Sequence, residues 1–338
     1  MAGKPKLQDV AETAGVSRAT VSQVLNNRGR ISDETRQRVR KAVEALGYVP
    51  DTRAASMRSG ENREIGIVIH GLANPFNAEV ISGVTNELEI HGYLVSTLDS
   101  DDDPVRQLRN LRAFIGSSRG GLIWVPATDT TDEPVKLLET HGIPTVTLLR
   151  DPPFGSFDHI GIENEAATAA ATAYLAKLGH RRIAFFGGEG DKGQVRNERI
   201  AGYLGEMARR NLGPTVIWPS GDTKSEGLQA ALALRKAHPD VTGLVCNGDI
   251  VALGASLACH RLGLNVGRDM SIIGFDDIEE AAIATPALTT MSVSPRRLGR
   301  KLASMLLERL DDRKLPPIRT TISAKLVVRA STGAPPEA

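Results

Sequence analysis

Over the first fifty residues, apolar side chains recur at helical spacing in three short blocks. Leu7, Val10 and Ala14 form the first, and Gly15-Val16 interrupts it. Ser17 stands where an N-cap belongs, ahead of Arg18-Ala-Thr-Val-Ser-Gln-Val-Leu25, whose Val21, Val24 and Leu25 form an inward stripe. A third helix is predicted from Ser32, with Asp33 and Glu34 in its first turn, through Val39, Val43 and Leu46 to Gly47. Three helices with a glycine in the first turn give a helix-turn-helix arrangement. From Ile65 the pattern changes to buried-strand runs: Ile65–Ile69, Gly121–Val125, Thr145–Leu149, Arg182–Phe186, Gly243–Cys246 and Ser271–Phe275. Helical stretches separate them, among them Ala78–His91, Ala166–Leu178 and Ile250–Leu262. This alternation predicts an α/β class with parallel, doubly wound sheets. A body of about 270 residues is long for one such sheet, so two similar lobes are expected.

Charge adds direction to this picture. The 338 residues carry a net charge of +1, but residues 1–60 hold eleven Lys and Arg against six Asp and Glu. A basic module on a mildly acidic body places a nucleic-acid contact at one end. The two cysteines, Cys246 and Cys259, cannot build a disulfide framework and have no metal-ligand spacing. No run reaches the roughly 18 to 20 apolar residues of a membrane span, and the start lacks an apolar signal core. A cytoplasmic protein is the expectation.

The string Leu7 to Pro50 resembles the headpiece of the lactose repressor/galactose repressor family almost residue for residue. The resemblance continues through Asn74-Pro-Phe76, Leu178-Gly-His-Arg-Arg-Ile183, Arg199-Ile-Ala-Gly-Tyr203, Gly274-Phe-Asp-Asp277, Pro286-Ala-Leu-Thr-Thr290 and Leu298-Gly299, in family order. It implies that the second helix enters the major groove of operator DNA, with Arg18, Ala19 and Gln23 at base edges. Arg pairs with guanine, Gln with adenine, and Ala meets a thymine methyl. Thr20, Ser22 and Asn26, with Leu7, Ser17 and Tyr48, are the positioning contacts it implies. It makes Asp51–Gly60 a hinge helix in which Ala54 and Met57 touch the minor groove, Met57 standing where the family has a leucine wedge. Asp51 departs from the Asn usual there.

For the body the resemblance implies two Rossmann-like lobes of the periplasmic-binding-protein type, joined by three crossovers, with an effector between them. Asn74, Phe76, Arg199, Asn247, Asp249, Phe275 and Asp276 are the effector-site residues it implies. Gly248 stands where many members carry Asn, and Leu149 where sugar responders carry Asp, so effector identity does not transfer. The expected domains are a headpiece and hinge at 1–60 and an effector and dimerisation domain at 61–330. Within the latter, one lobe is expected near 61–163 and 292–323, the other near 164–291 and 324–330, before a tail at 331–338. The tail has no apolar heptads, which favours a homodimer on a pseudo-palindromic operator over a coiled-coil tetramer.

Three further sequence signals point elsewhere. Gly188-Glu-Gly-Asp-Lys-Gly193 fits a dinucleotide-binding pattern, but lies mid-chain, and the first strand-turn has no such glycines. Gly116-Ser-Ser-Arg-Gly120 fits a nucleophile elbow centred on Ser118, but between a helix and a strand in the wrong order. The seven histidines are scattered. The expectation is a transcription regulator, most simply a repressor, with no catalytic role, cofactor or metal. A solute-binding transport protein and a nicotinamide-dependent enzyme are the alternatives.

Overall fold

The structure is a computed structural model describing residues 4–26, 28–50, 62–117, 120–152, 156–188 and 193–337. Contacts divide it into two units that meet between Asn62 and Arg63.

The first unit has three helices, α1 (Leu7–Ala14), α2 (Arg18–Leu25) and α3 (Asp33–Leu46). Their ends follow from local chemistry. Gly15 and Gly47 close α1 and α3 in the left-handed conformation, at φ 63° and 58°. Ser17 accepts from the Thr20 N–H at 3.1 Å and Ser32 from the Thr35 N–H at 3.3 Å, each satisfying a donor the helix leaves open. Val10, Ala11, Ala14, Val21, Val24, Val39 and Ala42 form a small buried core. Leu7, Val16, Leu25, Ile31, Val43, Leu46 and Tyr48 pack around it.

The second unit holds two six-stranded sheets. The N-lobe sheet contains β1 (Glu64–Ile69), β2 (Leu94–Asp99), β3 (Gly121–Trp124), β4 (Thr145–Leu148), β5 (Asp158–Ile162) and β11 (Arg319–Ile322). The C-lobe sheet contains β6 (Ile183–Phe186), β7 (Val216–Trp218), β8 (Gly243–Cys246), β9 (Ser271–Asp276), β10 (Thr289–Ser292) and β12 (Lys325–Val327). Their orders are β11-β5-β4-β3-β1-β2 and β12-β10-β9-β8-β6-β7, the same arrangement twice. All neighbours are parallel except β10 and β12. Three passages link the sheets: β5 to β6, β10 to β11, and β11 to β12.

Helices α4 (Pro75–Ile90), α5 (Pro104–Gly116), α6 (Asp132–Thr140) and α12 (Pro295–Asp311) accompany the first sheet in space or sequence. Helices α7 (Asn164–Lys177), α8 (Gln194–Arg209), α9 (Lys224–Ala237), α10 (Asp249–Arg261) and α11 (Glu279–Ile283) accompany the second. Three helix pairs approach so closely that only glycine fits: α4 with α12, α7 with α8, and α9 with α10, where a Cβ on Gly254 would lie 2.5 Å from the Lys224 carbonyl oxygen. A Cβ on Gly83 of α4 would lie 2.1 Å from the Arg296 carbonyl oxygen of α12, and one on Gly202 of α8 would lie 2.1 Å from the Glu165 carbonyl oxygen of α7.

The segment after Ala330 is more than a tail. Ser331 is fully buried, its hydroxyl accepting from the Thr289 N–H at 2.8 Å and donating to the Ile272 carbonyl at 2.6 Å. His180 also lies within bonding distance, 3.0 Å, of the Gly333 carbonyl. The chain end beyond β12 therefore helps to seal the C-lobe sheet.

Candidate functional site

In the first unit, burying Val21 and Val24 turns the opposite face of α2 to solvent. Arg18, Ala19 and Gln23 are exposed there, with Ser22 half-buried beside them. Asn26 donates to the Ser22 carbonyl at 2.8 Å, and the Ser17 and Thr20 hydroxyls pair at 2.9 Å, so the polar rim of this face is ordered. Leu7 and Tyr48 sit half-buried against the core at its edge. Arg28 and Arg30 are exposed in the loop after α2, two cations that the sequence reading did not single out. Arg36 serves that loop, donating to the Ile31 and Gly29 carbonyls at 3.3 and 3.4 Å. Ala54 and Met57 lie outside the described residues.

In the second unit, the carboxyl ends of strands from both sheets bring polar side chains together. Arg199 of α8 is 5% exposed. Its guanidinium lies flat on the Phe275 ring, 3.5 Å from the centroid. Its Nε donates to Asn164 Oδ1 at 2.9 Å and its Nη1 to the Asn247 carbonyl. Burial lowers its pKa, opposed by Asp276, Asp222, Glu198 and Asp249, and the guanidinium stays charged.

Asp276 ends β9 with φ 116°, a left-handed backbone that side chains rarely adopt. Burial pushes its carboxyl up to about 7; Arg199 pulls it down and Asp222 raises it further. Asp222, in the loop after β7, is likewise held above the ordinary carboxylate value by desolvation, against Arg199 and Arg150. Asn247 leaves its Oδ1 buried without a partner among the described residues.

Two of the expected site residues are occupied within the fold itself. Asp249 is fully buried, and its oxygens are taken: Oδ1 by the Thr290 hydroxyl at 2.6 Å, Oδ2 by the Ile278 N–H at 3.0 Å. Burial, reinforced by Asp276, raises its pKa well above the ordinary value. It pins the loop after β9. Phe76 is 3% exposed and packs into the main core beneath the cleft, so in this arrangement it presents no apolar face. Asn74 caps α4, its Oδ1 accepting from the Phe76 N–H at 3.0 Å.

The opposite wall holds further polar groups beyond Asn74 that the sequence did not point to. Arg150, just after the left-handed Leu149 at φ 64°, is clamped by both oxygens of Asp102 and by the Pro126 carbonyl. Asp102 also accepts from the Thr128 N–H at 3.0 Å and hydroxyl at 2.8 Å. Desolvation would raise its pKa, but Arg150 and Thr128 prevail and hold it below the ordinary value. His70 follows β1; burial, then the field of Arg150, pushes it down to about 4, so it is neutral, and its Nδ1 has no partner among the described residues. No spacing in the chain links positions 70, 102, 150 and 222.

The competing motifs gain nothing. Gly188 is left-handed at φ 74° and lies against the Arg196 side chain, whose Cδ is 2.4 Å from the position of a Cβ there. Ser118 and residues 189–192 lie outside the described residues, while Gly116 ends α5 before β3 begins, the reverse of an elbow. Among the described residues no group of three or more His, Cys, Asp or Glu could hold a metal, and no helix is long and apolar enough to cross a membrane.

Comparison with known proteins is consistent along the chain. Residues 6–51 match the family described as bacterial regulatory proteins, lacI family, and residues 172–332 match a periplasmic binding protein-like domain. The HTH-type transcriptional regulator GntR of Escherichia coli (strain K12) is 31% identical, over 93% of this chain and 94% of its own. The HTH-type transcriptional repressor PurR of Vibrio campbellii is 32% identical, over 96% and 97%. Among solved structures, the lac repressor dimer bound to operator and the anti-inducer ONPF superposes with a TM-score of 0.84 at 25% identity, covering 98% of this chain and 100% of that one.

Proposed function

The chain belongs to the LacI/GalR family of bacterial transcription regulators, and from that premise we propose which of its residues read DNA and which read the effector. The protein is a DNA-binding repressor with a metabolite-sensing domain. As a homodimer it sets two copies of α2 into successive major grooves of a pseudo-palindromic operator. Arg18 pairs with a guanine, Gln23 with an adenine, and Ala19 packs on a thymine methyl. Ser17, Thr20, Ser22, Asn26, Leu7 and Tyr48 fix register on the phosphates, and Ala54 and Met57 engage the minor groove.

The effector, a sugar or related polar metabolite, sits between Asn74 on one wall and Arg199, Asn247 and Asp276 on the other, with Phe275 as the platform beneath Arg199. The observation that carries this is the meeting of a buried cation, a buried carboxyl of raised pKa and an orphaned amide oxygen at one spot. Their hydrogen-bonding needs match a hydroxyl-rich ligand, which supplies donors and acceptors together. Occupation favours one lobe arrangement and so changes operator affinity by linkage.

A thermal-shift screen of sugars, sugar acids and nucleobases on the full chain tests the cleft, because a ligand of the native state raises its apparent stability. Hits should vanish in Asp276→Ala while DNA affinity is kept. A hit that survives both Asp276→Ala and Arg199→Ala would move the effector elsewhere. For the headpiece, Arg18→Ala should cost about 1–3 kcal/mol at one operator position and relax discrimination there; equal loss on every sequence would refute base reading by Arg18.

A further inference from the structure

Arg199 is the inner end of a hydrogen-bonded chain that leaves the cleft and crosses between the lobes. Its Nε donates to Asn164 Oδ1 at 2.9 Å, and Asn164 Nδ2 donates to Glu198 Oε2 at 2.8 Å. Glu198 Oε1 accepts from Gln194 Nε2 at 2.9 Å, and Gln194 Oε1 accepts from the Asp151 N–H at 3.2 Å. The Asp151 carboxylate pairs with Arg319 of β11. Asn164, Glu198, Gln194 and Arg199 belong to the C-lobe helices α7 and α8, while Asp151 and Arg319 belong to the N-lobe.

The chain has direction and no slack. Both carboxamides use their oxygen and their nitrogen, and the carboxylate between them uses both oxygens, so neither amide can flip without losing two bonds. Asn164 is 2% exposed and begins α7, directly after the passage from β5. Arg319 lies on the strand before the passage to β12, where Ser323 donates to Glu163. The network therefore sits on two of the three segments about which the lobes can move. His159 stands among the same charges, its field including Asp151, Arg319 and Glu198.

We propose that Glu198, with Gln194 and Asn164, is a positioning residue that holds the Arg199 guanidinium in its binding orientation and latches that orientation to the opposite lobe at Asp151. It touches no effector. An incoming ligand meets an arginine already aimed, and any shift of that arginine is transmitted along rigid bonds to the joint between the lobes. The role assigned to Arg199 rests on the effector-cleft reading above.

The test needs no effector. In full-length protein labelled with 15N-arginine, the Arg199 Nε–H signal, assigned through Arg199→Lys, should exchange slowly with solvent because it is bonded to a buried amide. Glu198→Ala should speed that exchange by about 2- to 10-fold, the range for losing one ordinary hydrogen bond, with Glu198→Gln intermediate. An Arg199 exchange rate unchanged in a folded Glu198→Ala protein overturns the positioning role. Gln194→Ala, at an exposed site that should leave folding intact, should raise deuterium uptake at the Asp151 amide by a similar factor. Asp151→Ala keeps that amide bond and should not. Unchanged uptake in Gln194→Ala overturns the latch. Either failure leaves the cleft reading standing, whereas a ligand from the screen that binds Arg199→Ala as tightly as wild type would sink the cleft reading whatever the exchange rates.

Discussion

The two lobes of the effector domain carry the same strand order, yet their corresponding strand ends deliver different side chains. Each places a left-handed residue at the end of its corresponding strand, Leu149 after β4 and Asp276 in β9. On the N-lobe the next residue, Arg150, is closed in by Asp102 and Pro126. On the C-lobe, Asp276 is buried within the fields of Arg199 and Asp222. The fold decides where a strand end delivers a side chain; the residue delivered decides whether that position is already partnered. Each wall also keeps one orphaned atom among the described residues, His70 Nδ1 on the N-lobe and Asn247 Oδ1 on the C-lobe. A partnered group supplies shape, and an orphaned one supplies affinity, because a buried polar group without a partner gains most from a ligand that provides one.

This contrast can be broken at several places. The largest effect is expected where the lobes are alike. Gly83→Val and Gly202→Val each force a side chain onto a carbonyl 2.1 Å away, and each should cost about 3 kcal/mol in denaturant unfolding. If only one does, the lobes are not packed equivalently. Next comes the pin behind the C-lobe wall. Asp249→Ala strands the buried Thr290 hydroxyl and Ile278 N–H and should cost about 2 kcal/mol, while Arg199 remains in place. A loss near zero would mean that these two bonds do not hold the loop.

Asp276 gives a pH signature. With its carboxyl near 7 in the folded protein, it keeps a proton that the unfolded chain has lost above about pH 4. Its cost to stability is therefore absent below pH 4, grows as pH rises towards 7, and is complete above. Asp276→Asn should match wild type in thermal unfolding near pH 4 and exceed it at pH 8. A difference that does not change with pH would mean that Asp276 titrates normally. The smallest effect belongs to the N-lobe wall. Arg150→Ala breaks a pair whose side chains are 18% and 37% exposed, and should cost about 1 kcal/mol, screened in part by salt.

Much of the fold was legible beforehand because its signals are local. Ser17, Gly15 and Gly47 mark helix ends within one turn of the residues they serve, and the fully apolar strands announce themselves. The strands that escaped notice are those whose polarity disguises burial. In β10, Thr289 and Thr290 are completely buried, but their hydroxyls are satisfied by Thr332 or the Arg329 carbonyl and by Asp249. β2 and β7 are sheet edges, half-exposed on one side, and so lack an apolar run. Ser331, in the segment expected as a tail, is hidden for the same reason, being polar in sequence and sealed in structure.

The candidate site divides along the same line. Arg199 and Asp276 stand out because they sit in the motifs that carry the family resemblance, and Asn247 because it follows the apolar strand β8. Asp102, Arg150 and Asp222 occur in ordinary acidic or loop stretches, and only folding brings their charges together. The sequence by itself determined the three-helix headpiece with its exposed α2 face, the two-sheet body and the family, because caps, periodicity and motif order act over a few residues or survive as text. Tertiary structure alone decided which buried polar groups already have partners and which still lack one. That distinction separates Asn247, whose Oδ1 is orphaned among the described residues, from Asp249, whose oxygens are held by Thr290 and Ile278, and it depends on neighbours far along the sequence.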